Sequence, residues 1–345
     1  MEILPVLKVT LQLSSWGKIR VEKEIKIKKS VFIFFYYFQF LVDLIYEFRY
    51  NQTINKIITV DLRLLFALLL IIGYESVSQA QMMAGAKQIS IANSGVALSN
   101  DVFAIFNNPA GLAQFNWREL GVFYSPAPFG FKELSNACIA YVEPLPNSSL
   151  SFGAITYGFE LYKENRILLG YSYKIFNNFF LGLALNYHSV SIKNYGNKSV
   201  FYFNLGGLTY ITTDIRWGFF IYNINRTSFV DEDDQIPAVF NSGFSYNIIS
   251  ELSLNLALEK DVRYNASIRF GIDYCIIENL SLRTGFSGEP SAFSAGIGIN
   301  YSFINLDYAV VNHPDLGLTH QAGLIISFQK NGNRYKKIKD YLSGK

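Results

Sequence analysis

Between Arg118 and Phe328 apolar side chains alternate with small or polar ones in fourteen short runs, and this periodicity restricts the fold more than any other feature of the chain. A period of two places successive side chains on opposite faces of a sheet. Leu252, Leu254, Leu256 and Leu258 interleave with Ser253, Asn255, Ala257 and Glu259, and Ala266, Ile268, Phe270 and Ile272 with Ser267, Arg269, Gly271 and Asp273. Every run therefore has one greasy face and one polar face. The first run is 118–125, the sixth 199–212 and the last 318–328. Tight connections such as 144–148, 175–178 and 213–214 take turns with longer ones such as 126–133, 191–198 and 224–237. The connections at 261–264 and 288–290 are short although they fall on the side of the long ones.

A soluble sandwich and a membrane barrel share such alternation, so what touches the greasy face decides between them. On this phase assignment the outward positions carry no Asp, Glu, Lys or Arg, whereas Arg166, Lys174, Arg216, Glu259, Arg269, Asp273, Arg283 and Asp307 point inward. A Lys or Arg facing lipid at the bilayer midplane costs about 2–4 kcal/mol, and a wet lumen imposes no such cost. Tyr141, Tyr173, Tyr246, Tyr274, Tyr301 and Phe328 close even-numbered runs, as an interfacial aromatic girdle would. The even run count and the short and long connections match an outer-membrane barrel with tight periplasmic turns. Lipid cannot satisfy an open sheet edge, so first and last strands must pair. The expected fold is all-β: a closed antiparallel transmembrane β-barrel of about fourteen strands, in contact with outer-membrane lipid. In the sixth run Phe201, Phe203 and Leu205 are out of step with Leu208 and Tyr210, which predicts a bulge at Gly206-Gly207.

Composition agrees with this. The chain is 50% hydrophobic and 17% charged, which excludes disorder. Lys and Arg outnumber Asp and Glu ten to seven in residues 1–80 and six to one in 329–345, but are outnumbered fourteen to nineteen in 81–328. A mildly acidic body without a basic stripe argues against nucleic acid as a partner. The basic tail, 329–345, reads as a solvated periplasmic terminus. Leu64 to Gly73 is a short apolar core preceded by Lys56 and Arg63 and followed by Ser78-Gln79-Ala80, the pattern of a signal peptide over 56–80. Residues 1–55 are read as an over-extended gene model, the alternative being an uncleaved N-terminal anchor.

Chemistry is sparse. His188, His313 and His320 have no metal-ligand spacing, Cys138 and Cys275 no redox or metal spacing, and Ser294 in Ala292-Phe-Ser-Ala-Gly296 lacks the setting of a nucleophile elbow. No catalytic residue, metal site or cofactor is expected. The acidic run Asp231-Glu232-Asp233-Asp234 reads as a solvated loop tip rather than a cation site.

Residues 81–117 precede the wall. They are rich in small residues and contain Gly95, Val96, Ala97, Asp101, Ala104, Ile105, Asn107, Asn108, Pro109, Ala110, Gly111, Leu112 and Ala113. Asn-Pro halts a helix and Ala-Gly bends the chain. This spacing, together with Leu306-Asp307-Tyr308-Ala309 and His313-Pro314-Asp315-Leu316-Gly317 near the end, resembles the PorV/PorQ group of FadL-like outer-membrane proteins over residues 84–328. One departure is Ile91-Ala92-Asn93-Ser94, where that group has paired glycines. The resemblance implies a fourteen-stranded barrel whose N-terminal segment folds into the lumen as a plug, with Gly95, Asp101, Asn107, Asn108, Pro109, Ala110 and Gly111 as its motif. It also implies two functions. The first is a non-enzymatic accessory of type IX protein secretion with secretion-system partners. The alternative is a FadL-like passive transporter of hydrophobic small molecules such as long-chain fatty acids. A transporter calls for an apolar pocket beside the plug. The inward residues are mostly Gly, Ser, Asn and paired charges, which favours secretion.

Overall fold

The computed structural model describes residues 84–229, 236–329 and 334–342. The readings of 1–55, of the signal peptide 56–80 and of the acidic run 231–234 lie outside the described residues. The wall consists of β1 (Glu119–Ser125), β2 (Asn136–Leu145), β3 (Ser148–Gly158), β4 (Tyr162–Phe176), β5 (Phe179–Ile192), β6 (Gly196–Tyr210) and β7 (Ile215–Tyr222), then β8 (Val239–Ile249), β9 (Leu252–Asp261), β10 (Ser267–Ile277), β11 (Leu280–Ser287), β12 (Ala292–Tyr301), β13 (Ile304–His313) and β14 (Gly317–Ser327). Each pairs antiparallel with its sequence neighbours, and β1 pairs with β14 from Glu119↔Ser327 to Tyr124↔Ala322, closing the barrel. Three register shifts sit at the tight-turn ends of β4, β8 and β10.

The outer face is apolar and uncovered. Val122, Ile139, Leu169, Leu183, Phe203, Phe244, Leu256, Ile297 and Leu306 are each 39–58% exposed. The interleaved Asn186, Asn204, Ser245, Ser253 and Asn255 are buried. This is the inverse of a water-soluble sheet, and a contiguous apolar belt of that extent is matched to hydrocarbon.

Three details differ from expectation. The sixth strand carries no bulge at Gly206-Gly207: β5 and β6 stay in one register from Phe179↔Thr209 to Ile192↔Gly196. Leu208 and Tyr210 simply point inward, where Leu208 packs against Ala97, Ala110, Ala113 and Phe180, so apolar side chains there meet protein rather than water. Secondly, the outward positions are not free of charge. Lys163 and Lys260 lie outward near the long-loop end, and Glu143 near the tight-turn end, where Arg118 and Tyr141 bond to it. All three sit close to strand termini, where the cost of a lipid-side charge falls to about 0–1 kcal/mol.

The third difference is the tail. Residues Arg334–Leu342 form a nine-residue helix with Ile338 2% exposed, not a solvated terminus. In chain order the helices are α1 (Ala86–Ser90), α2 (Ala104–Asn107) and this one, α3.

Candidate functional site

Residues 84–117 pack against inward positions of the wall. Gly85, at φ +93°, turns the chain into α1, a conformation a side chain would oppose. After α1, Ala92 and Asn93 both adopt left-handed backbone, φ +54° and +53°, at the place where the paired glycines are missing. Asn tolerates this region and Ala does so at a cost. Room for the tight approach comes from the wall instead: a carbon added at Gly285 would lie 2.4 Å from the Ile91 backbone, and one at Gly271 2.6 Å from the Ile91 carbonyl oxygen.

The Asn-Pro-Ala-Gly stretch seats on the opposite wall. Asn108 is extended, as the residue before proline must be, and its Oδ1 caps the 3₁₀ turn Pro109–Gln114 by accepting from Ala110 N at 3.2 Å. Its Nδ2 donates to Val96 O at 2.8 Å and to Gly207 O on β6 at 3.1 Å. The Pro109 carbonyl accepts from Ser172 of β4 at 2.5 Å. Gly111 leaves no space for a side chain, since a Cβ would sit 1.9 Å from Ser99 O. Gly95 O accepts from Leu98 N, Ser99 N and Ser99 Oγ. Asn107 holds the start of the segment through Ala84 O, and Asp101 Oδ1 accepts from Phe103 N. Replacing Asn108 by alanine removes three bonds. At about 0.5–1.5 kcal/mol net per bond, a loss of roughly 1.5–4.5 kcal/mol is expected in thermal unfolding. Asn107→Ala, whose two bonds are both 3.3 Å long, should cost less.

The inward charges form separate groups. Arg283 bridges Asp273 at 2.9 Å and Asp307 at 2.5 Å, and Lys87 of α1 approaches Asp273 and Asp101 at 4.0 Å while donating to Asn100 Oδ1 at 2.7 Å. Glu259 and Arg269 pair at 2.5 Å, nearer the long-loop end. Arg166 donates to Tyr222 Oη at 2.7 Å and sits over that ring. Arg216, 1% exposed, bonds Ser245 and Asn247 and lies over Tyr210.

Two cavities flank the filled region. At the long-loop end a space of about 930 Å³ is lined by Phe106, Phe129, Leu168, Phe220, Phe229 and Phe293 among others, with Glu164–His188 and Glu259–Arg269 on its walls. At the tight-turn end a polar chamber of about 110 Å³ is lined by Lys87, Asp101, Asp273, Arg283 and Asp307, and by Arg334, Tyr335 and Lys337 of α3. The apolar pocket that the inward strand residues argued against is thus present. Its aromatic lining comes partly from α2 and the loops, which have no strand periodicity to reveal it.

Sequence reading missed Glu119. It is 0% exposed and accepts from Val102 N (3.1 Å), Trp117 Nε1 (2.8 Å), Ser327 Oγ (2.9 Å) and Arg334 Nη2 (2.6 Å). One carboxylate therefore joins the inner segment, the β1–β14 seam and α3. The signal was the phase of β1, where Glu119 shares the inward side with Gly121 and Phe123. Lys87 and Arg334 carried no comparable signal, Lys87 being a lone cation outside the strands and Arg334 one of six in the basic tail. Among the described residues no group of His, Cys, Asp and Glu is arranged to hold a metal.

No protein-family model and no curated protein matches the sequence. Among solved structures, the CymD monoaromatic hydrocarbon channel is similar with a TM-score of 0.55 at 13% identity, over 74% of this chain and 99% of that one. A deltaS2 mutant of the TodX monoaromatic hydrocarbon channel follows at 0.51 and 12%, over 67% and 94%. A Pseudomonas aeruginosa FadL homologue stands at 0.50 and 12%, over 72% and 98%. At such identities the likeness is one of fold, and it is the fold of the FadL-like outer-membrane β-barrels that this chain shares.

Proposed function

We propose that this protein is a non-enzymatic outer-membrane channel through which hydrophobic small molecules pass, with residues 84–117 as its plug. The observation that carries the reading is the 930 Å³ cavity at the long-loop end, whose lining combines Phe106, Phe129, Phe220, Phe229 and Phe293 with charged groups such as Glu164, Arg166, Glu259 and Arg269. A concave apolar space with a few convergent polar groups is the usual form of a small-molecule site. The apolar outer belt supports placement in a bilayer, and the fold neighbours described as hydrocarbon channels support the substrate class. Long-chain acids and small aromatic compounds both suit such a lining. An accessory role in type IX secretion has no need of this cavity.

Phe229 tests the reading with little risk to the wall, because it lies on a loop with its ring edge-on to His188 at 5.1 Å. Burying a phenyl side chain is worth about 1.5–3 kcal/mol, so Phe229→Asp should weaken binding of a long-chain acid or an alkylbenzene roughly ten- to a hundredfold by calorimetry in detergent. Uptake of the same compounds should fall in a deletion strain and return with the parent gene. Undiminished uptake in that strain, combined with loss of secreted proteins, would transfer the assignment to secretion.

A further inference from the structure

The C-terminal helix crosses the tight-turn end of the barrel and is held from three directions. Toward the β1–β14 seam, Arg334 donates to Asn100 O at 2.7 Å and to Glu119 at 2.6 Å, and both Arg334 and Lys337 lie over the Trp117 ring. Toward the β6–β7 turn, the Tyr335 hydroxyl donates to Asp214 and to Thr213 O, and Lys339 stands 3.4 Å from Asp214. Toward β4, Lys174 sits over the Tyr341 ring. The Tyr335 hydroxyl, aided by Thr213 and Lys339, holds the Asp214 carboxyl below its ordinary range. Ile338 inserts into the same apolar cluster as Phe115 and Trp117.

We infer that α3 is a lid: it forms the floor of the 110 Å³ chamber, and its detachment opens that chamber to the periplasm while releasing the plug from Arg334. Two properties suit a part that comes and goes. A nine-residue helix is unstable alone in water, so α3 exists as a helix only through its docking contacts. Apart from the Arg334–Glu119 pair and one buried aliphatic side chain, Ile338, those contacts are polar bonds and cation–ring contacts of partly exposed side chains. The basic tail thus has a use that its charge alone did not disclose, which is to match Glu119 and Asp214 across the mouth. The inference rests on the channel reading for its purpose, yet its test needs no hydrophobic ligand.

Ser253 lines the chamber and is 4% exposed, so a cysteine placed there reports on the lid. In a Cys275→Ser background, Ser253→Cys would be labelled with trimethylammonium-ethyl methanethiosulfonate, in the full chain and in a chain ending at Gln329. Where opening is fast and reversible, the labelling rate follows the open fraction. At least a tenfold faster reaction is expected without α3. Equal rates in the long and shortened chains, both folded by heat-modifiable gel mobility, would overturn the lid. Should the shortened chain not fold, Tyr335→Phe with Lys339→Ala in the full chain replaces it: faster labelling supports the lid, and a parental rate refutes it. Failure of ligand uptake with a responsive lid would instead sink the channel reading alone.

Discussion

Glu119→Ala is expected to lower stability by about 3–5 kcal/mol, the range for removing one member of a buried ion pair. The size of the effect follows from what the carboxylate holds. Glu119 is fully buried, and without it the Val102 amide, the Trp117 indole N–H, the Ser327 hydroxyl and the Arg334 guanidinium all lose an acceptor at once. Glu119→Gln keeps an acceptor oxygen but gives up the charge, and should cost less than alanine. The measurement is guanidinium unfolding in detergent followed by tryptophan fluorescence, since Trp117 lies beside the lost group. An unchanged midpoint for the alanine variant would show that the seam, the plug and α3 are not joined through this residue.

Gly182→Leu is expected to unseat Pro109–Gln114 from the wall while leaving the barrel closed. An added carbon at Gly182 would lie 2.3 Å from Ala110 N and 2.5 Å from the Pro109 carbonyl carbon, and these are backbone atoms that cannot rotate away. Overpacking of this kind costs about 1–3 kcal/mol and more where backbone must move. The ladder of β5 with β4 and β6 does not depend on the plug, so the strain should be relieved by displacing Pro109–Gln114, with loss of the bonds from Ser172 to Pro109 and from Asn108 to Gly207. Ion conductance in planar bilayers should rise severalfold and limited proteolysis should reach residues 84–117. Gly288→Ala is the control, because its added carbon meets nothing closer than 3.4 Å. Parental conductance and protection in Gly182→Leu would mean that the seat on β5 is dispensable.

How far the sequence could be read is clearest at strand six. Phe201, Phe203 and Leu205 announced a lipid-facing side, but Leu208 and Tyr210 looked out of phase because a lumen was assumed to be wet. They line a dry contact with Ala97, Ala110 and Phe180, and Tyr210 donates to Gln114 at 2.6 Å. The same assumption hid the apolar cavity. Inward glycines such as Gly182 and Gly285 read as lumen-compatible small residues, whereas each marks a point where the backbone of residues 84–117 touches the wall. The tail misled for another reason: six cations against one anion describe a solvated segment well, and only Glu119 and Asp214, distant in the chain, show what those cations face.

Strand number, antiparallel order and the greasy outer belt were all present in local periodicity, because a pleated strand sorts its side chains two by two regardless of what lies far away. What fills the barrel, where it stays hollow and which end is covered depend on contacts between residues up to about two hundred positions apart, such as Glu119 with Ser327 and Arg334. No short-range pattern encodes those meetings. They exist only once the sheet has closed and brought its two edges, its leading segment and its last helix into one place.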